Sequence, residues 1–144
     1  SNTQQLCAFP NVVLEHIQAP VFVMQSQVDG VMDGIVGVGD RISGRNTVRE
    51  EIRTSVERAI NANAASAAFL TMCDEHCGQW GTGQNSSSRH PAAEADFNVT
   101  IDGAPATQAV RVWWMDLVAK TPVGRVWKQN AAYPCATCCS GGSN

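Results

Sequence analysis

Two short runs in the chain are apolar at almost every position. Pro20-Val21-Phe22-Val23-Met24-Gln25-Ser26 and Ala67-Ala68-Phe69-Leu70-Thr71-Met72 show no alternation between apolar and polar residues. A strand covered on both faces has this pattern, and such strands belong to parallel sheets. Between the runs lies a glycine-rich loop holding Gly30, Gly34, Gly37, Gly39 and Gly44. After it, Val48, Ile52, Val56, Ala59 and Ile60 recur at helical spacing through about residue 63. Thr47 followed three residues later by Glu50 predicts a capping box at that helix's start. Residues 20–72 therefore read as one strand–helix–strand unit with a right-handed crossover.

The flanking pattern is less regular. Pro10 to Gln18 reads as a short helix or turn, with Val13, Leu14 and Ile17 on one side. Residues 78–95 are rich in Gly, Ser and Asn and read as an exposed loop. Phe97 to Asp102 reads as a short extended piece that turns at Asp102-Gly103. Pro105 suits the first turn of a second helix, which ends before Pro122. Ala109, Val110, Trp113, Trp114 and Leu117 line its packing side. Trp113 and Trp114 are consecutive, so at most one faces a core squarely. From Trp127 the tail reads as irregular and pinned by its cysteines. The expected fold class is α/β.

Composition narrows the setting. At 144 residues the chain has the length of one domain on a prior of roughly 100–200 residues each, and 44% hydrophobic residues can supply a core. Net charge is -3 and the ten Lys and Arg are scattered, which argues against a nucleic-acid partner. No apolar stretch approaches the ~20 residues of a membrane span. Six cysteines fit an oxidising compartment: Cys7, Cys73, Cys77, Cys135, Cys138 and Cys139. The sequons at Asn85 (Asn85-Ser86-Ser87) and Asn98 (Asn98-Val99-Thr100) agree with a secreted or cell-surface protein. The chain shows no signal peptide, which a mature chain would have lost.

Candidate chemistry follows the two strands. Cys73-Asp74-Glu75-His76-Cys77 delivers a histidine beyond the second, and Asp29 follows the first. Parallel α/β sheets carry their chemistry at that strand end. An acid, then a histidine, is the chain order of the last two members of a Ser…Asp…His triad. A histidine suits a general base because it titrates near neutrality, and a carboxylate fixes its tautomer. Neighbouring strands lie only ~4.8 Å apart, so loops leaving them can bring the two groups together. The bland alternative is a turn aspartate and a structural histidine.

Longer stretches add a resemblance. Leu6-Cys7-Ala8-Phe9-Pro10, Ala19-Pro20-Val21-Phe22-Val23-Met24-Gln25 and Asp29 resemble the pectin acetylesterase / Notum family of secreted carboxylesterases. Cys73-Asp74-Glu75-His76-Cys77 is similar to that family's Cys-x-x-His-Cys segment around its catalytic histidine. Phe97 to Trp114 resembles the segment that follows, with Trp113-Trp114-Met115-Asp116 on its helix. Pro134 to Cys139 is similar to the tail of Notum-type members. The likeness runs over nearly the whole chain but covers only the C-terminal part of the family domain.

The resemblance implies that residues 1–144 form the C-terminal portion of an α/β-hydrolase-like parallel sheet: strand, helix, strand, C-terminal helix and Cys-rich tail. It implies ester hydrolysis through an acyl-enzyme, with His76 as base and Asp29 as its orienting acid. The family's serine sits in an upstream Gly-Cys-Ser-Ala-Gly-Gly segment that nothing here matches. Ser26, Ser43, Ser55 and Ser66 all lack the Gly-x-Ser-x-Gly elbow. The expected partner is therefore the N-terminal, serine-bearing part of the same enzyme, as a separate and possibly disulfide-linked chain. Substrates of the family type are acylated polysaccharides or glycoproteins. After Asp29 the family usually has a polar or aromatic pair and a Gln, whereas this chain has Gly30-Val31-Met32-Asp33, which leaves Asp33 a rival for the acid.

Other features have weaker readings. Gly39-Asp40-Arg41-Ile42-Ser43-Gly44-Arg45-Asn46 imitates a phosphate loop but lacks the Gly-Lys-Ser/Thr ending. Cys73, His76 and Cys77 with Cys135, Cys138 and Cys139 have zinc-ligand chemistry, with Cys135-x-x-Cys138 the better half. Disulfides are the expected use in a secreted chain, so no metal and no cofactor is called for. Trp80 can wall a substrate pocket or pack in a core. His16 and His90 read as surface groups. The rival from another class is a catalytically inactive hydrolase-like module for glycan binding or surface assembly.

Overall fold

The computed structural model describes residues 13–28, 37, 42–73, 99–135 and 138. A single 3-10 turn at Leu14–His16 stands where a short helix or turn is expected. Strand β1 is Phe22–Ser26, helix α1 is Ile42–Ala62 and strand β2 is Ala67–Thr71. The two-residue strands β3, Thr100–Ile101, and β4, Ala104–Pro105, precede helix α2, Ala106–Val118. Strand β5, Arg125–Lys128, closes the order.

Among the described residues β1, β2 and β5 form a parallel sheet in the order β1-β2-β5. The register pairs Phe22 with Ala67 and Ser26 with Thr71, so the two strands end level. The Ala67 amide donates to the Val21 carbonyl at 2.9 Å and the Gln27 amide to the Thr71 carbonyl at 2.8 Å. In a parallel ladder that phase turns Val23 and Gln25 toward β2 and leaves the backbone groups of Phe22 and Met24 at the outer edge.

Helices cover both faces, as the doubly apolar strands require. On one face Ala68 and Leu70 pack with Val56 and Ile60 of α1, joined by Leu14, Val23, Ile52 and Val126. On the other, Phe69 packs with Ala106 and Ala109 of α2 and with Ile101, joined by Phe22, Met24 and Trp127. Every β2 residue is buried, since β2 has a strand on each side and a helix on each face. The Phe22 ring lies 5.4 Å from that of Trp113 and 6.2 Å from that of Trp127. The Trp113 indole N–H donates to the Ala65 carbonyl at 2.8 Å.

Three sequence expectations change. The first concerns α1, which starts at Ile42 and not at Thr47. Gly44 and Asn46 are poor helix formers, but tertiary contacts outweigh them. Arg45 is buried, and its guanidinium donates to the Tyr133 hydroxyl at 2.6 Å. Asn46 exchanges hydrogen bonds with the Tyr133 backbone, accepting its N–H at 3.2 Å and donating to its carbonyl at 3.4 Å. Thr47 is no cap, since its hydroxyl donates back to the Ser43 carbonyl at 3.1 Å, the bond that Ser and Thr make inside helices. Glu50 pairs with Arg53.

The second change is β5, a strand in place of an irregular tail from Trp127. Four residues with charges at both ends give little periodicity to read. The third is Trp114, which is 58% exposed, while Trp113 is half-buried. The Asp102-Gly103 turn is present: both residues have positive φ, 54° and 76°, and the two-residue loop joins β3 to β4. His16 is exposed, as expected.

Candidate functional site at the strand ends

The C-terminal ends of the three parallel strands are tied together by buried polar groups. The Ser26 hydroxyl, buried at the end of β1, donates to the Cys73 carbonyl beyond β2 and accepts the Val28 amide at 3.1 Å. Gln27 is fully buried, and its Nε2 donates to the carbonyls of Leu70 and Gln129, both at 3.0 Å. Two carbonyl acceptors fix which end of that amide carries nitrogen. Its Oε1 is buried with no hydrogen-bond partner among the described residues.

Gln129, just past β5, completes the tie. Its backbone N–H donates to the Leu70 carbonyl at 3.0 Å and its Oε1 accepts the Met72 amide at 2.7 Å. Its Nε2 donates to the Cys138 carbonyl at 2.9 Å. A residue from each strand end thus fixes the others, and the backbone leaves this knot at Val28 and at Cys73. Asp29 is the next residue after the first exit, and His76 lies three residues after the second.

Sequence reasoning singled out Asp29 and His76 beyond the strands and missed the knot that ties the strand ends together. The signal present was Gln25-Ser26-Gln27, three polar residues closing an apolar run. Nothing in the sequence marks Gln129 as their partner.

No protein-family model, curated protein or solved structure matches the chain. The site therefore rests on its own geometry.

Of the expected site residues, Asp29, His76 and Trp80 lie outside the described residues, as do the rival acid Asp33, the sequon residues Asn85 and Asn98, and Cys7, Cys77 and Cys139. Cys135 and Cys138 form a disulfide with each other, so the better half of the zinc reading is oxidised and not a thiolate pair. Cys73 is also disulfide-bonded. Among the described residues no helix is long and apolar enough to cross a membrane.

An open depression on α2 is lined by Thr107, Gln108, Arg111, Val112, Met115 and Asp116. All six belong to one helix, and the Asp116 carboxylate is engaged by Arg125 of β5 at 3.5 Å. Among the described residues its lining holds no histidine and no cysteine.

Proposed function

We propose that this chain is the acid- and base-bearing part of a secreted serine carboxylesterase acting on acylated polysaccharides or glycoconjugates, acetyl esters first. In this reading His76 takes the proton of a serine hydroxyl supplied by a second polypeptide and later returns it to the leaving alcohol. Asp29 orients His76 and stabilises its imidazolium. The oxyanion donors come with the serine.

One observation carries the reading: β1 and β2 are parallel neighbours ending level, Ser26 opposite Thr71, with their exits cross-bonded. An acid and a base on those two exits leave from one edge of the sheet, as a triad needs. A buried, hydrogen-bonded support is what holds catalytic loops to within a fraction of an ångström.

The sheet edges support the need for a second polypeptide. β5 carries Arg125 and Lys128, charges that discourage pairing at an edge. β1, Phe-Val-Met-Gln-Ser, carries none, and among the described residues nothing pairs with its outer edge. The Cys135–Cys138 disulfide is consistent with an extracellular setting.

The test is hydrolysis of a small acetyl ester by the native assembly. His76→Ala is expected to lower turnover by about 10⁴-fold or more, and undiminished turnover would refute the reading. A second reading, a non-catalytic module, is favoured by one observation: no Gly-x-Ser-x-Gly occurs in the chain. Reducing and non-reducing gels with intact mass of the native material separate the two. A co-purifying chain with a serine elbow supports the esterase, and one without it supports the binding module.

A further inference from the structure

The Cys73 sulfur and the Cys135–Cys138 disulfide sit in different surroundings. Cys73 is 1% exposed, whereas Cys135 and Cys138 are half-buried. The Cys135–Cys138 bond spans a sequence separation of only 3. Stabilisation by loop closure grows with the logarithm of loop length, so so short a ring adds less to global stability than a bond closing a long loop. Its effect is local, and what it holds locally is the knot at the strand ends.

The tail reaches that knot along α1. Tyr133 is held by Arg45 and Asn46, and the Arg49 guanidinium donates to the Asn130 carbonyl at 3.2 Å. Two residues past Tyr133 comes Cys135. Across the disulfide, the Cys138 carbonyl lies 2.9 Å from Gln129 Nε2 and 3.9 Å from Cys73 Sγ. Gln129 has one amide group serving two masters: its nitrogen needs Cys138, and its oxygen holds the Met72 N–H. Without Cys138 in place the amide is free to rotate, and Met72 loses a fixed acceptor.

We infer that Cys135–Cys138 is a reducible clip, a thiol–disulfide exchange site whose opening loosens the end of β2. The reductant is a dithiol. One of its thiolates attacks a sulfur of the clip, the Cys135–Cys138 bond breaks, and a mixed disulfide forms. The other clip sulfur leaves as a thiolate and takes up a proton. The second thiol of the reductant then displaces the mixed disulfide and frees the attacked cysteine. Two electrons pass to the clip and the dithiol ends as a disulfide. The Cys73 sulfur is buried, so direct attack on it is hindered, because exchange needs access to the sulfur attacked. The inference does not depend on the esterase reading, since it concerns only the tail and the β2 end. If that reading holds, the clip governs the segment leading to His76.

The experiment is a dithiothreitol titration of the native full chain, quenched by alkylation and read by peptide mass spectrometry, with amide exchange followed in parallel. Alkylation of Cys135 and Cys138 is expected at about tenfold lower dithiothreitol than alkylation of Cys73. In that one-bond-reduced state Met72 N–H should exchange about fivefold faster, the loss of one hydrogen bond. The Gln27 N–H, bonded to Thr71, should keep its rate. The Cys135→Ser/Cys138→Ser double variant should show the fast Met72 exchange without reductant. Release of Cys73 together with or before the clip overturns the inference. So does an unchanged Met72 rate after the clip is reduced, a result the titration delivers even if the double variant does not fold.

Discussion

Gln27 gives the most discriminating test of the strand-end knot, because one atom separates two opposite outcomes. Its Nε2 faces the Leu70 and Gln129 carbonyls at 3.0 Å, in a fully buried position. Gln27→Glu keeps shape and volume but turns a two-hydrogen donor into an acceptor aimed at two carbonyl oxygens. Burial and those dipoles disfavour the carboxylate, so its folded-state pKa rises above the unfolded value of about 4.3. A group shifted upward contributes its stability below the unfolded pKa and loses it as pH rises toward the folded one. Each pH unit in that window costs about 1.4 kcal/mol. Between pH 4.3 and pH 7 the loss reaches about 3.7 kcal/mol if the folded pKa lies above 7, and it is about 1 kcal/mol at pH 5. Gln27→Leu is the control. It gives up two hydrogen bonds of about 1 kcal/mol each but also removes the buried, unpartnered Oε1, an atom costing about 1–3 kcal/mol. Its net effect should stay within about 1 kcal/mol and should not vary with pH. Urea unfolding of the three proteins at pH 5 and pH 7 measures all of this. Equal losses for Gln27→Glu at both pH values would refute the proposed geometry of the amide.

Two backbone positions give further predictions. Lys120 has a φ of 56° in the left-handed region that closes α2, where Lys120 N–H bonds to Leu117 O and Thr121 N–H to Asp116 O; Lys120→Gly should stabilise the fold by about 0.5–1 kcal/mol in urea unfolding. Gly124 backs onto α1, and a Cβ there would stand 3.1 Å from Ile60 Cγ2; Gly124→Ala should cost about 1 kcal/mol, and a thermal midpoint equal to that of the parent chain would contradict this packing.

The parts of the fold that were legible were those written in unbroken local patterns. β1 and β2 announced themselves by being apolar on both faces, which only a twice-covered strand tolerates, and α1 by the spacing of Val48, Ile52, Val56, Ala59 and Ile60. The start of α1 was misplaced because Thr47 and Glu50 carry the cap signature while Arg45 and Asn46 are held by Tyr133, a partner far along the chain. β5 was invisible for a related reason. Arg-Val-Trp-Lys becomes a strand by pairing with β2, placing Val126 against α1's face and Trp127 against α2's. Asp29 and His76 could be named as candidates from their sequence positions after β1 and β2. The groups tying the strand ends together could not, because Ser26, Gln27 and Gln129 form one network only once three strands lie side by side.

That network also explains why a small parallel sheet can bury polar groups at its strand ends. A buried Ser or Gln is costly when unpaired and specific when paired, because its partners must arrive in a fixed register. Sliding β1 by one residue against β2 would exchange Gln27 for Val28 opposite the Leu70 carbonyl and turn Val23 from the α1 face to the α2 face. The apolar faces and the polar ends therefore select the same register by independent means. Gln129 extends that selection to β5, since its backbone bonds Leu70 while its side chain bonds Met72. The knot at the strand ends is thus the lock of the sheet as well as the support of the two exits, and any substitution that weakens it should disturb the register of β1, β2 and β5 together.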